Sequence, residues 1–197
     1  MKHQTSYRSS SQSTKIGVYR LNDIEHQPSI CSNWSNPMPD YSWSLPLGKY
    51  HPGGFGYKRG HSVHTGIDLY APVGEVIHAV ENGTIVNIEI FTGPRAESPW
   101  YNESMAVLIE GESGVVLYGE IQPDSNLRAG QSIKAGDVLG KVVAVLKEDK
   151  GNGVSMLHFE LYTKGVRNSL WWLHDRNQPK VLLDPTEKLL SLKVSKR

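Results

Sequence analysis

The chain predicts a mainly β, turn-rich domain with an irregular N-terminal arm and a short C-terminal helix. Three observations carry that prediction. Nineteen glycines and eleven prolines punctuate the 197 residues. The apolar runs between them are short and rich in Val and Ile, and turn signals separate one run from the next. Charges nearly cancel, with Lys+Arg 21 against Asp+Glu 20, so no electrostatic footprint for nucleic acid or an anionic membrane surface is visible. No apolar run approaches the roughly 20 residues a membrane helix needs. The single cysteine, Cys31, has no partner for an internal disulfide and reads as an ordinary thiol.

In chain order, residues 1–15 are rich in Ser, Thr and Gln and read as a mobile polar tail. The stretch Met1 to Ser11 lacks the apolar segment of a secretory signal, so the sequence as given reads as cytoplasmic. Residues 16–52 read as an arm, with a short strand at 16–21 and with Trp34 and Trp43 packing onto the main domain. Residues 76–80 run as a strand into Glu81-Asn82-Gly83, a strong turn signal, and 84–90 return as a second strand. Residues 105–109 and 115–121 flank Gly111-Glu112-Ser113-Gly114 as another hairpin. Residues 127–140 space their glycines at tight turns between very short strands, and 157–162 alternate as a clear strand. Residues 53–165 form the main domain and 166–197 a C-terminal extension, in which Trp171-Trp172 pack and Asp184-Pro185-Thr186-Glu187 starts a helix. Residues 92–104 are a long loop with Pro94, Pro99, Trp100 and Tyr101, and loops of that length are often functional.

Chemistry gathers at His64 and Asp68. They lie four apart in a segment of small and β-branched residues that reads as a strand, which would put both on one face. A neutral imidazole and a carboxylate on one face are two thirds of a catalytic zinc site. Alternation also puts Met156, His158 and Glu160 on one face of their strand, with Leu157, Phe159 and Leu161 facing the core. A lone histidine so placed is more often structural than a ligand. With His64 and Asp68, however, His158 completes two nitrogens and one carboxylate oxygen, which leaves a fourth position for water. His61 lies an odd number of positions from His64 and should face away. His78 and His174 have no identifiable partners and read as structural.

Phe55-Gly56-Tyr57-Lys58-Arg59, then His64-x-Gly66-x-Asp68-Leu69, then Ala71-Pro72-x-Gly74, resemble the first half of the lysostaphin-type (LytM-like) zinc endopeptidases. The glycine-spaced segment 130–140 and Leu157-His158-Phe159-Glu160 are similar to its second half. The resemblance implies a compact antiparallel β-sheet of barrel-sandwich type (a duplicated hybrid motif), with one zinc ion held in a groove by His64, Asp68 and His158. It implies a peptide or peptidoglycan-like substrate. Two departures stand out. The family carries a histidine where this sequence has Met156, and another two residues after the tyrosine, where Tyr118-Gly119-Glu120 stands here.

A thioether cannot take a proton at neutral pH, whereas a carboxylate beside metal-bound water is a workable general base. Tyr118 and Glu120 share a face by alternation, so Glu120 is expected to point where the absent histidine would. Glu160 reads either as a second base or as a carboxylate orienting an imidazole. Two functions follow: a zinc-dependent peptidase with Glu120 as base, or an inactive zinc-binding module that recognises a peptide or partner protein in the same groove. A third resemblance, of the glycine-spaced segment to biotinyl or lipoyl carriers with Lys150 as attachment site, fails on order, because Lys150 follows the segment instead of preceding it.

Overall fold

A computed structural model of the chain describes residues 34–148 and 154–194. The polar tail, the strand expected at 16–21, Cys31 and Lys150 lie outside the described residues. The described chain builds one antiparallel sheet of nine strands that does not close. In chain order these are β1 (Ile67–Tyr70), β2 (Val76–His78), β3 (Gly83–Thr92), β4 (Ser104–Gly111), β5 (Val115–Pro123), β6 (Ser132–Ile133), β7 (Val138–Val142), β8 (Met156–Tyr162) and β9 (Leu182–Leu183). The path runs β1-β8-β5-β4-β3-β6; β7 joins β2 to β5, and β9 adds to β8.

Strand β5 is the centre of this arrangement. It pairs with β4, β7 and β8, so Val115, Val116, Leu117, Tyr118 and Ile121 are all buried. Alternation along β8 sends Leu157, Phe159 and Leu161 into the same core, as the sequence predicts. The arm residues Trp34, Met38 and Trp43 are part of this core. Trp34 sits edge-on to Phe159, ring centroids 5.5 Å apart, and donates its indole N–H to Ser113 Oγ at 3.0 Å. The Asn36 side-chain carbonyl accepts from the Met38 backbone N–H and from the Trp43 indole.

The hairpin flanking Gly111 to Gly114 forms as expected, between β4 and β5. The turn at Glu81-Asn82-Gly83 does not close a second one. Strand β2 pairs with β7, whereas β3 pairs with β4 and β6. The buried Glu81 carboxylate is engaged with the Ser113 N–H and hydroxyl, so this turn is tied to the β4–β5 turn. A second correction concerns His64. Strand β1 begins only at Ile67, so His64 precedes it and simple alternation does not relate it to Asp68.

The C-terminal helix α1 (Thr186–Val194) starts where the capping signal placed it. Asp184 Oδ1 accepts from the Thr186 N–H at 2.9 Å and from its hydroxyl, and Leu189 enters the core. No helix among the described residues is long and apolar enough to cross a membrane.

Because Met38 is completely buried, the arm contributes directly to stability. Met38→Ala is expected to cost about 2–5 kcal/mol, read as a lower urea midpoint in tryptophan fluorescence.

Candidate metal centre

Three side chains meet where β1 crosses β8. Register pairs Asp68 with His158 and Tyr70 with Met156, so all four project from one face of the sheet. His64 arrives from a hairpin instead. Its N–H donates to the Tyr57 carbonyl at 2.8 Å, and its own carbonyl accepts from Gly56 at 3.0 Å. The chain then bends at Gly66 into β1. A Cβ there would stand 2.4 Å from the Phe159 carbonyl oxygen, so only glycine lets the bend lie against β8.

The result is a triangle of ligand atoms. His64 Nε2 lies 3.0 Å from Asp68 Oδ1 and 3.3 Å from His158 Nδ1, and His158 Nδ1 lies 2.8 Å from Asp68 Oδ1. A tetrahedral zinc bound at 2.0–2.1 Å needs edges of about 3.3 Å, so the triangle is close to one tetrahedral face. The far nitrogens settle which atoms carry lone pairs. His64 Nδ1 donates to the Gly54 carbonyl at 2.9 Å, and His158 Nε2 donates to Glu160 Oε1 at 3.0 Å. Both rings then turn a lone pair toward Asp68. Three acceptors this close repel one another unless a cation or an added proton sits among them. The trio is buried and can hold a metal ion.

Without metal, a proton fills that role. Burial works against charge on His158, but hydrogen bonds to Asp68 and Glu160 outweigh it and push its pKa up to about 10. Burial opposes ionisation of Asp68 and Glu160 too. Contacts with His158 and His64 hold the Asp68 carboxyl well below its usual range, and His158, Thr65 and Tyr162 hold Glu160 low. His64 is lowered by burial, with Asp68 only partly opposing.

Through Asp68 the triad borders a groove of about 290 Å³, lined also by Arg59, Tyr70, Tyr101, Glu120 and Met156. Glu120 reaches it by a route alternation does not foresee. Between Met105 and Val107, β4 spends one residue where β5 spends two, Gly119 and Glu120. This bulge forces Glu120 into the left-handed region, φ 61°, and returns its side chain to the groove. Unperturbed alternation would have put it beside Tyr118, whose side chain enters the core edge-on to Phe159 and whose hydroxyl accepts from the Val80 N–H. Tyr118 is therefore a core residue and not part of the groove, which corrects the expected shared face. Left-handed backbone at a non-glycine residue is strained and concentrates at functional sites. Burial pushes the Glu120 carboxyl up to about 7, with His158 opposing, Asp68 adding and Arg59 opposing.

Met156 lines the groove, as its place on the His158 face requires. Glu160 is almost fully buried and receives hydrogen bonds from His158, Thr65 and Tyr162. That occupation suits the orienting role and leaves no room for a second base. His61 is exposed, and His78 Nδ1 donates to the Gly136 carbonyl. Trp100 is 63% exposed, so loop 92–104 is held by polar contacts such as Asn102 N–H to the Val145 carbonyl, while Tyr101 faces the groove.

Sequence reasoning passed over four neighbours. Tyr70 was within reach, two residues from Asp68 on the same strand face, and Tyr162 is likewise two from Glu160. Arg59, in the motif lead-in, donates Nη2 to Asp68 Oδ2 at 2.7 Å. Phe91 lies against His158 with centroids 5.2 Å apart, a contact no local pattern announces. It fits because Gly119, opposite His158, has no side chain; a Cβ there would meet the Phe91 ring at 2.8 Å.

The model of peptidase family M23 matches residues 62–169, more than half of the chain. The chain belongs to peptidase family M23. The resemblance carried by the His64, Asp68 and His158 motifs is borne out. No curated protein sequence matches the chain. Among solved structures, cbpa from L. salivarius REN is similar over 82% of this chain and 97% of its own, at 18% identity and TM-score 0.51. The catalytic domain of the antimicrobial peptidase lysostaphin from Staphylococcus simulans gives 70% and 89%, 19% identity and TM-score 0.47. That of the prophage-encoded M23 protein EnpA from Enterococcus faecalis gives 73% and 98%, 22% identity and TM-score 0.44. At 18% identity the likeness to cbpa shows a shared fold alone.

Two outcomes are expected of this M23 centre. Glu160→Gln keeps one acceptor for His158 but cannot serve all three donors, so metal affinity should fall about 10–100-fold, measured by chelator competition. His158 is raised from its ordinary 6.5 to about 10. Its contribution to metal-free stability is therefore full below pH 6.5 and lost as pH rises through 10. A metal must displace that proton, so binding at pH 7 should release about one, read by calorimetry in buffers of different ionisation enthalpy.

Proposed function

We propose that this chain is a zinc-dependent peptidase of the M23 family that hydrolyses peptide bonds in peptidoglycan-type peptides, with His64, Asp68 and His158 as ligands and Glu120 as general base. The observation that carries the proposal is the triangle of converging lone pairs whose Asp68 corner lines a groove shared with Glu120. Two nitrogens and one carboxylate oxygen suit zinc and leave its fourth position open. Zinc bound there would acidify a coordinated water and polarise the scissile carbonyl.

The chain's own residues supply the rest. Glu120 takes a proton from the attacking water, whose oxygen bonds to the carbonyl carbon, and passes that proton to the leaving amide nitrogen. The C–N bond thus breaks to a carboxylic acid and an amine, and the acid's remaining proton then passes to the amine or to solvent. Burial raises this carboxyl's proton affinity to about 7 in the metal-free chain, which favours its accepting a proton. Glu160, fixed by Thr65 and Tyr162, holds the His158 ring. Asp68 presents Oδ1 to the centre because Arg59 occupies Oδ2.

Met156 favours a second reading. It occupies the groove position at which the family carries a histidine, and a thioether neither donates a hydrogen bond nor takes a proton at neutral pH. On that reading the chain binds zinc and recognises a peptide or partner protein in the groove without cutting it.

Zinc analysis followed by hydrolysis assays on peptidoglycan-type peptides separates the two. The peptidase reading expects one zinc per chain in the wild type, none in His64→Ala, and turnover that drops about 10²–10⁴-fold in Glu120→Gln with zinc retained. It also expects turnover to fall in acid, because the base must be deprotonated, with the midpoint below that of the metal-free carboxyl because a bound cation favours the charged form. Stoichiometric zinc without turnover over a broad panel of peptides would leave the recognition module.

A further inference from the structure

Arg59 is the charged group at the groove that this reaction does not yet use. It sits on the hairpin that also delivers His64. Tyr57 pairs with His64, Lys58 bridges Val63, and the Arg59 N–H donates to the Ser62 carbonyl at 2.8 Å. Its backbone is thus fixed relative to the triad. Both of its side-chain hydrogen bonds use one nitrogen, Nη2, to Asp68 Oδ2 at 2.7 Å and to the Pro52 carbonyl at 3.1 Å. Nη1 and Nε have no hydrogen-bond acceptor among the described residues, and the side chain is 44% exposed.

The donor inventory of the groove makes this significant. Among the described lining residues Arg59 is the one cation. Tyr57, Tyr70 and Tyr101 offer neutral hydroxyls, an ionised Glu120 only accepts, and Met156 donates nothing. A guanidinium stays charged at any working pH and presents its donors in a planar fork suited to a pair of oxygens. We propose that Arg59 is the anion-binding residue of the groove, taking an anionic oxygen of the bound peptide on Nη1 and Nε while Nη2 remains on Asp68. The identity of that ligand as a peptide rests on the peptidase reading. The oxygen has two possible sources of one chemistry, the scissile carbonyl as it gains negative charge or a carboxylate carried by the substrate. The competing role is a purely structural one, in which Arg59 only braces Asp68.

Inorganic phosphate is a suitable probe, because it presents anionic oxygens without needing to be cleaved. Protein loaded with one zinc per chain is titrated with phosphate by calorimetry, for the wild type, Arg59→Gln and Arg59→Lys. The proposal expects the Gln variant to weaken phosphate binding about 10–100-fold, the worth of a charge-assisted hydrogen bond, and the Lys variant to weaken it less. Zinc is retained at saturating zinc in both, because Gln and Lys each keep an N–H donor for Asp68 Oδ2. Equal phosphate affinity in wild type and Arg59→Gln overturns it. So does loss of zinc from both variants, which assigns Arg59 to bracing Asp68 alone. Steady-state hydrolysis then separates the sources. A fall in kcat with KM kept points to the scissile oxygen, and a rise in KM with kcat kept, reproduced by amidating the substrate's carboxylates, points to a carboxylate. Arg59-dependent phosphate binding by a wild type that cuts no peptide leaves the anion site standing and removes the peptidase reading.

Discussion

One buried carboxylate organises the centre. Asp68 is 4% exposed, and a charge so buried survives only where donors surround it. His64 and His158 face one of its oxygens, and Arg59 takes the other. Each of those partners is fixed from behind. The Gly54 carbonyl holds His64, Glu160 holds His158, and the 57–64 hairpin holds Arg59. The outer carboxylate, Glu160, is in turn anchored by Thr65 and Tyr162. The metal-binding geometry is thus the inner edge of a polar network two layers deep, and the β1–β8 register that sets Asp68 opposite His158 is its keystone.

The groove side of the site is built by departures from regular structure. A single extra residue in β5 turns Glu120 out of the core and into the groove at the cost of a left-handed backbone. The same bulge includes Gly119, whose missing side chain admits Phe91 onto the His158 ring. The site thus has apolar cover at the His158 ring and a carboxylate on the groove side. A carboxylate in a low-dielectric niche has its proton affinity raised toward neutrality, which brings it near the range in which an imidazole works.

Much of this was legible in local sequence. Alternation in β8 assigns Leu157, Phe159 and Leu161 to the core and Met156, His158 and Glu160 to the other face, because side chains in a strand have a period of two whatever surrounds them. The Gly111 to Gly114 turn and the Asp184 cap are likewise local chemistry. Alternation failed where the backbone stops being periodic. It related His64 to Asp68 for the wrong reason, since a bend at Gly66 intervenes. It put Tyr118 and Glu120 on one face, since a bulge is a property of two paired strands and leaves no mark in either one alone. The Glu81 to Gly83 turn misled in the same way, because what it joins depends on which strands find each other.

By itself, then, the chain determined the strand faces, the turn and cap positions, and the three residues that could hold a metal with the family they signal. Those follow from residue type and spacing, which act within a few positions. Tertiary structure alone decided that the ring nitrogens nearest Asp68 carry lone pairs, that Glu160 is committed to His158, that Glu120 faces the groove, and that Arg59 holds the outer oxygen of Asp68. Each of those depends on distances between segments far apart in the chain, and no periodicity encodes a distance.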